Sequence, residues 1–92
     1  MPEPALKRTV TVVNATGLHI RAAAMIAAEA RKFDARVVIA KGPQEVEATE
    51  VLQVLTLGAA RGDELSLDAF GNEAQAAVEA VAQLFLRKFD ED

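Results

Sequence analysis

Thr16-Gly17-Leu18-His19-Ile20-Arg21-Ala22-Ala23-Ala24 is the stretch on which the reading of this chain turns. Upstream of it, Arg8 to Asn14 is rich in Thr and Val and reads as a strand. Asn14-Ala15-Thr16-Gly17 breaks that strand. From about Ile20 to Phe33 the pattern turns helical, with Ala23, Ile26, Ala27, Ala30 and Phe33 on one face. The chain's only histidine therefore stands at a strand-to-helix junction, with Arg21 two residues on. Neutral imidazole is nucleophilic near pH 7, its unperturbed pKa being about 6.5. A helix start offers unpaired N–H groups and the positive end of a dipole, and an arginine offers a planar fork of donors for phosphate oxygens. Together these have the chemistry of a reversible phosphate acceptor.

Working outward, Ala35 to Ala40 carries Val37, Val38 and Ile39 and reads as a second strand. Lys41-Gly42-Pro43 signals a turn, and Gln44 to Ala48 returns as a short antiparallel partner. Thr49 is expected as an N-cap and Glu50 in the first turn of a short helix running to Leu57, ended by Gly58. Val51, Leu52, Val54, Leu55 and Leu57 leave that helix apolar on several sides, more than a two-turn helix can bury against one sheet. Arg61-Gly62-Asp63 is a turn, and Glu64 to Phe70 alternates as a fourth strand with Leu65, Leu67 and Ala69 on one side. Gly71-Asn72 introduces a last helix striped by Ala74, Ala77, Val78, Val81, Leu84 and Phe85. Asp90-Glu91-Asp92 is expected to be frayed and solvated. The order β-α-β-β-α-β-α, with helices on one face of four strands, predicts an α+β two-layer open-faced sandwich.

Ninety-two residues make one domain, expected over 1–92. With no cysteine, disulfides and thiolate metal sites are excluded, and with a single histidine no ligand spacing suggests a metal. The absence of a signal-peptide pattern and of any apolar run near 18 residues predicts a cytoplasmic protein off the membrane. A net charge of −4 argues against a nucleic-acid partner.

These residues resemble the histidine-containing phosphocarrier protein (HPr) family of the bacterial phosphoenolpyruvate-dependent phosphotransferase system. The resemblance covers roughly residues 6 to 89. It rests on Gly17-Leu18-His19-x-Arg21, on Leu57-Gly58 followed by Gly62, on the apolar second helix and on Gly71 before the last. It implies an antiparallel sheet and a phosphohistidine carrier, not a turnover enzyme and without a cofactor. His19 would take phosphate on Nδ1 from phospho-Enzyme I and pass it to a IIA component of a sugar transporter. Arg21 and the backbone N–H groups of Ile20, Arg21 and Ala22 would stabilise the phosphoryl group, and Thr16 and Gly17 would shape the site. Ile20, Val51, Leu52 and Leu55 would form an apolar docking patch for partners, while Val54 and Leu57 enter the core.

Two positions depart from the family pattern. Ala22 stands where a proline usually follows the arginine, which restores an N–H. Glu50 aligns with the serine that a regulatory kinase phosphorylates in many Gram-positive members, and glutamate cannot accept phosphate. The resemblance implies a monomer.

Each of these residues also has a plainer reading. A histidine at a helix start can be a surface residue, Arg21 a solvated arginine, Thr16 a turn former or a partner of the histidine ring, and Glu73 and Glu79 an exposed helix face. An alternative function keeps the same frame as a regulatory module, whose His19 phosphorylation state signals to a kinase or regulator. An RNA-binding sheet predicts aromatic residues on the strands and a basic face, and a chain without Tyr or Trp and with net negative charge fits neither.

Overall fold

The computed structural model describes residues 6–91. Its elements run β1 (Leu6–Thr11), α1 (Ile20–Ala30), β2 (Arg36–Lys41), β3 (Gln44–Glu47), α2 (Val51–Thr56), β4 (Glu64–Phe70) and α3 (Ala74–Leu86), followed by a turn over Lys88–Asp90. The four strands form one antiparallel sheet in the order β1-β4-β2-β3. With β4 and β2 central, the alternation along each explains the layering. Leu65, Leu67 and Ala69 of β4 lie beside Val37 and Ile39 of β2 and are buried toward the helices. Ser66 and Asp68 point the other way, where Asp68 meets Lys7 at 3.2 Å. Arg8 sits opposite Leu67 on the helix-facing side and is neutralised by Glu79 of α3. Glu79 is thus tied to the sheet, where a solvated helix face was expected.

The helical stripe of α3 enters the core as its spacing predicts: Ala74, Ala77, Val78, Val81, Leu84 and Phe85 are all buried. On α1, Ala23, Ile26, Ala27 and Ala30 are buried. Phe33 lies past the helix end, half-buried against the core. β1 stops short of the expected Asn14, because Val12 leaves the ladder to exchange backbone bonds with the turn before β4: its N–H donates to the Asp63 carbonyl at 2.9 Å and its carbonyl accepts from the Gly62 N–H at 2.8 Å.

Two further expectations are corrected here. Glu50, and not Thr49, is the N-cap of α2, with φ −108° and ψ 98° and no side-chain cap bond. The C-terminal Glu91 is not frayed: the chain past α3 folds back over the N-terminal end of α1, pinned by the fully buried Phe89. The rings of Phe85 and Phe89 meet edge to face, centroids 5.0 Å apart, a geometry worth about 0.5–1.5 kcal/mol beyond the area it buries. Asp92 lies outside the described residues.

Candidate functional site

Gly17 is where the strand-to-helix connection has to be a glycine. Its φ is +67°, and a Cβ there would stand 2.6 Å from the Ala59 carbonyl oxygen. That close approach lets the Leu18 N–H donate to the same carbonyl at 3.0 Å and buries Leu18, anchoring the loop just before the helix. The chain then enters α1 with His19 as N-cap, in extended conformation at φ −81° and ψ 179°. The first helical bond runs from the Ala23 N–H to the His19 carbonyl at 2.9 Å. The N–H groups of Ile20, Arg21 and Ala22 precede it and are the unpaired donors that any helix start carries. No side chain caps them. Ala22 is buried, as an early-helix position packed on the core must be.

The His19 side chain is about 30 % exposed. Its Nε2 is in close contact with Oε2 of Glu91, 72 positions on in the chain. The same carboxylate accepts from the Thr16 hydroxyl at 2.7 Å on Oε1 and from the Asn14 amide at 3.3 Å on Oε2. These donors, led by His19, pull the Glu91 carboxyl down to about 2. Thr16 therefore reaches the histidine through Glu91 and not directly. Asn14 is 2 % exposed, the one buried polar residue among those described. Its amide also donates to the Gly17 carbonyl at 2.8 Å, while its Oδ1 is left without a partner.

Arg21 is exposed, and its Nη2 donates to the Phe89 carbonyl at 3.2 Å. Its guanidinium thus braces the C-terminal segment and is not directed at His19. Lys88, Phe89 and Asp90 all have left-handed backbones, φ +55°, +53° and +60°, which bulky side chains adopt at a cost of about 1–3 kcal/mol each. Burial of Phe89 and the Arg21 bond hold this turn, and the turn sets Glu91 on the histidine.

The expected docking patch is narrower than its four residues. Ile20 and Leu52 are 66 % and 75 % exposed. Val51 and Leu55 are half-buried and packed against the core, a correction that follows from helix geometry. At about 3.6 residues per turn Leu52 falls nearly opposite the buried Val54, whereas Val51 and Leu55 fall together on one side between the two. Val54 and Leu57 are core residues, and Glu50 is exposed. Two members of the site were missing from the sequence reading, Asn14 and Glu91. Asn14 had a signal in the Asn-x-x-Gly turn; Glu91 had none. Among the described residues no group of His, Cys, Asp and Glu could hold a metal, and no helix is long and apolar enough to cross a membrane.

A small α+β sandwich presenting one half-exposed histidine on uncapped helix N–H groups has the form of a phosphoryl carrier. The sequence matches the family described as PTS HPr component phosphorylation site over residues 6–86, and the chain belongs to that family. It is 41% identical over 86 residues to the phosphocarrier protein NPr of Shewanella violacea, covering 94% of each chain. To the phosphocarrier protein HPr of Treponema pallidum it is 35% identical, covering 92% of this chain and 97% of the relative. Among solved structures, HPr-C-His from Thermoanaerobacter tengcongensis superposes with a TM-score of 0.90 at 31% identity, over 95% of this chain and 98% of that one. An HPr dimer from the same organism matches with a TM-score of 0.75 at 32% identity, over 99% and 100%. Both the recognised family and the open antiparallel sheet with three helices agree with the sequence reading.

Proposed function

We propose that the chain, acting as one domain over 1–92, carries a phosphoryl group on His19, accepted from phospho-Enzyme I and delivered to a IIA component of a sugar transporter. The observation that carries this reading is the placement of His19: half-exposed, capping α1 ahead of three unpaired N–H groups, beside the exposed Ile20. Transfer between two imidazoles asks little covalent chemistry of the protein and depends on positioning and charge stabilisation. The N–H groups of Ile20, Arg21 and Ala22 supply fixed partial charge. Arg21 adds a full charge once its fork swings from the Phe89 carbonyl to the phosphoryl oxygens. Ile20 and Leu52 form the apolar centre of docking, with Val51 and Leu55 as its floor. Because the same face serves donor and acceptor in turn, the carrier works in this reading as a cytoplasmic monomer, even though a related HPr has been solved as a dimer.

A second reading is favoured by Glu50. A fixed anion at the exposed N-cap of α2, next to Leu52, suits a carrier whose phosphorylation state is read by a regulatory protein. The two readings share the His19 chemistry and differ in the acceptor.

The test is phosphate incorporation from phosphoenolpyruvate with purified Enzyme I, read by intact mass. One acid-labile phosphate on the wild type and none on His19→Ala, with the thermal midpoint little changed, is the expected result. Incorporation in the variant, or none in either, overturns the assignment. Adding a IIA protein or a regulatory partner to the phosphorylated chain then separates the two readings by which one discharges it.

A further inference from the structure

We propose that Glu91 is a positioning residue for phosphoryl transfer: its carboxylate holds a proton on Nε2 of His19, which leaves Nδ1 as the nucleophilic nitrogen. The inference deepens the carrier reading above and rests on it. An ionised carboxylate can only accept hydrogen bonds, so the nitrogen it touches has to carry the hydrogen. The Glu91 carboxyl stays ionised far below neutral pH, because His19 first, then Thr16 and Asn14, donate to it. With the proton on Nε2, the lone pair of the neutral ring is at Nδ1, which makes no hydrogen bond to the described residues.

The contact is built, not incidental. Asn14, buried to 2 %, gives its amide both to Glu91 and to the Gly17 carbonyl, coupling the carboxylate to the loop that delivers His19. Three consecutive left-handed residues before Glu91 are maintained by the burial of Phe89 and by Arg21. Strain of this kind persists only where the surroundings over-determine it.

The transfer step balances without a proton leaving the site. The Nδ1 lone pair attacks the phosphorus of the donor's phosphohistidine. The donor's N–P bond breaks and its electron pair returns to the donor imidazole. The His19 ring becomes cationic, with its Nε2–H still held by Glu91, whose charge offsets the new one. On discharge, the electron pair of the Nδ1–P bond returns to Nδ1 as the acceptor's nitrogen takes the phosphorus, which restores the neutral ring. Glu91 touches neither phosphorus nor oxygen and acts only through His19.

The experiment combines two readouts on the full-length chain. Long-range proton–nitrogen correlation spectra of the neutral His19 ring report which nitrogen bears hydrogen. Single-turnover phosphorylation is followed with phosphoramidate, a protein-free donor whose N–P bond breaks to release ammonia, and separately with phospho-Enzyme I. The wild type is expected to show the Nε2–H form alone. Glu91→Ala should relax to a mixture of tautomers and react about tenfold more slowly with both donors, a loss typical of removing the partner that orients a reactive imidazole. Glu91→Gln, whose neutral amide can donate to a bare Nε2 as well as accept from Nε2–H, should restore the single tautomer and the rate only in part. Three results overturn the proposal: an Nδ1–H form in the wild type, ring signals unchanged in Glu91→Ala, or faster phosphorylation of Glu91→Ala, which would make Glu91 a plug over the site. Reaction with phosphoramidate but not with phospho-Enzyme I would instead sink the carrier reading and leave the positioning role standing on the tautomer and the chemical rate.

Discussion

Two helices of this molecule begin in the same way and end up with different chemistry. Both α1 and α2 start at a residue with extended backbone, His19 and Glu50, and neither N-cap makes a side-chain bond to its own helix. At α1 the unpaired N–H groups lie behind the His19 imidazole, which a second segment of chain holds in place: Glu91 on the ring, Thr16 and Asn14 on Glu91, Arg21 on the Phe89 carbonyl. At α2 the N-cap is an exposed carboxylate on a six-residue helix; Arg31 reaches over from the end of α1 to donate to the Thr49 carbonyl at 2.6 Å, but no side chain caps the helix. A helix start supplies potential; the tertiary cover turns that potential into a site.

The largest test of this contrast removes the cover. Phe89→Ala deletes a fully buried ring and its edge-to-face contact with Phe85, and is expected to cost about 3–5 kcal/mol in denaturant unfolding. Because Phe89 holds the turn that carries Glu91, the His19 ring should lose its single tautomer in the same variant. A loss of stability with the ring signals intact would show that Glu91 finds the histidine without that anchor.

The next test concerns the surface that joins the two helices. Leu52→Glu changes a side chain 75 % exposed, so stability should move by no more than about 0.5 kcal/mol. Binding to Enzyme I, measured by titration calorimetry, should weaken about tenfold or more, as expected where an apolar anchor in a docking surface is replaced by a charge. Unchanged affinity would move docking off α2 altogether.

How much of this was open to reading from the sequence follows from the range of each interaction. The alternation of Leu65, Leu67 and Ala69 and the stripe from Ala74 to Phe85 are local periodicities, and both elements appear where their patterns place them. The sequence extends β1 too far because Val12 and Val13 carry strand-like side chains; only the partner choice of the Val12 backbone, with Gly62 and Asp63, ends the ladder. The partial burial of Val51 and Leu55 is not legible because a short apolar helix has no sequence signal for how deeply each side sinks. Glu91 was out of reach for a plainer reason. Its contact with His19 spans 72 positions, and an acidic terminus looks the same whether solvated or pinned.

A smaller effect follows from the acid side. The Glu91 carboxyl is lowered from 4.5 to about 2 by its donors, so its contribution to folding is fully present above about pH 4.5 and is lost as pH falls toward 2. Thermal midpoints of wild type and Glu91→Gln should therefore differ above that window and converge within it. Curves that stay parallel through that window would show that the contact with His19 does not depend on the Glu91 charge.

The smallest effect is the most discriminating about helix starts themselves. Glu50→Ser places a good capping side chain on a backbone that already has N-cap geometry, φ −108° and ψ 98°. The serine hydroxyl can accept from the N–H two or three residues on, which glutamate does not do here. Against that gain stands the loss of a negative charge at the positive end of the helix dipole, worth about 0.3–1 kcal/mol at an exposed site. The expected net stabilisation is about 0.5 kcal/mol in urea unfolding, with phosphorylation of His19 unaffected. The same exchange at α1 would remove the proposed phosphate acceptor and release Glu91, so one substitution type, a serine cap, should stabilise one helix start and abolish the proposed transfer at the other. Were Glu50→Ser to destabilise, charge at the α2 terminus would outweigh capping, and the two helix starts would differ in electrostatics before any cover is considered.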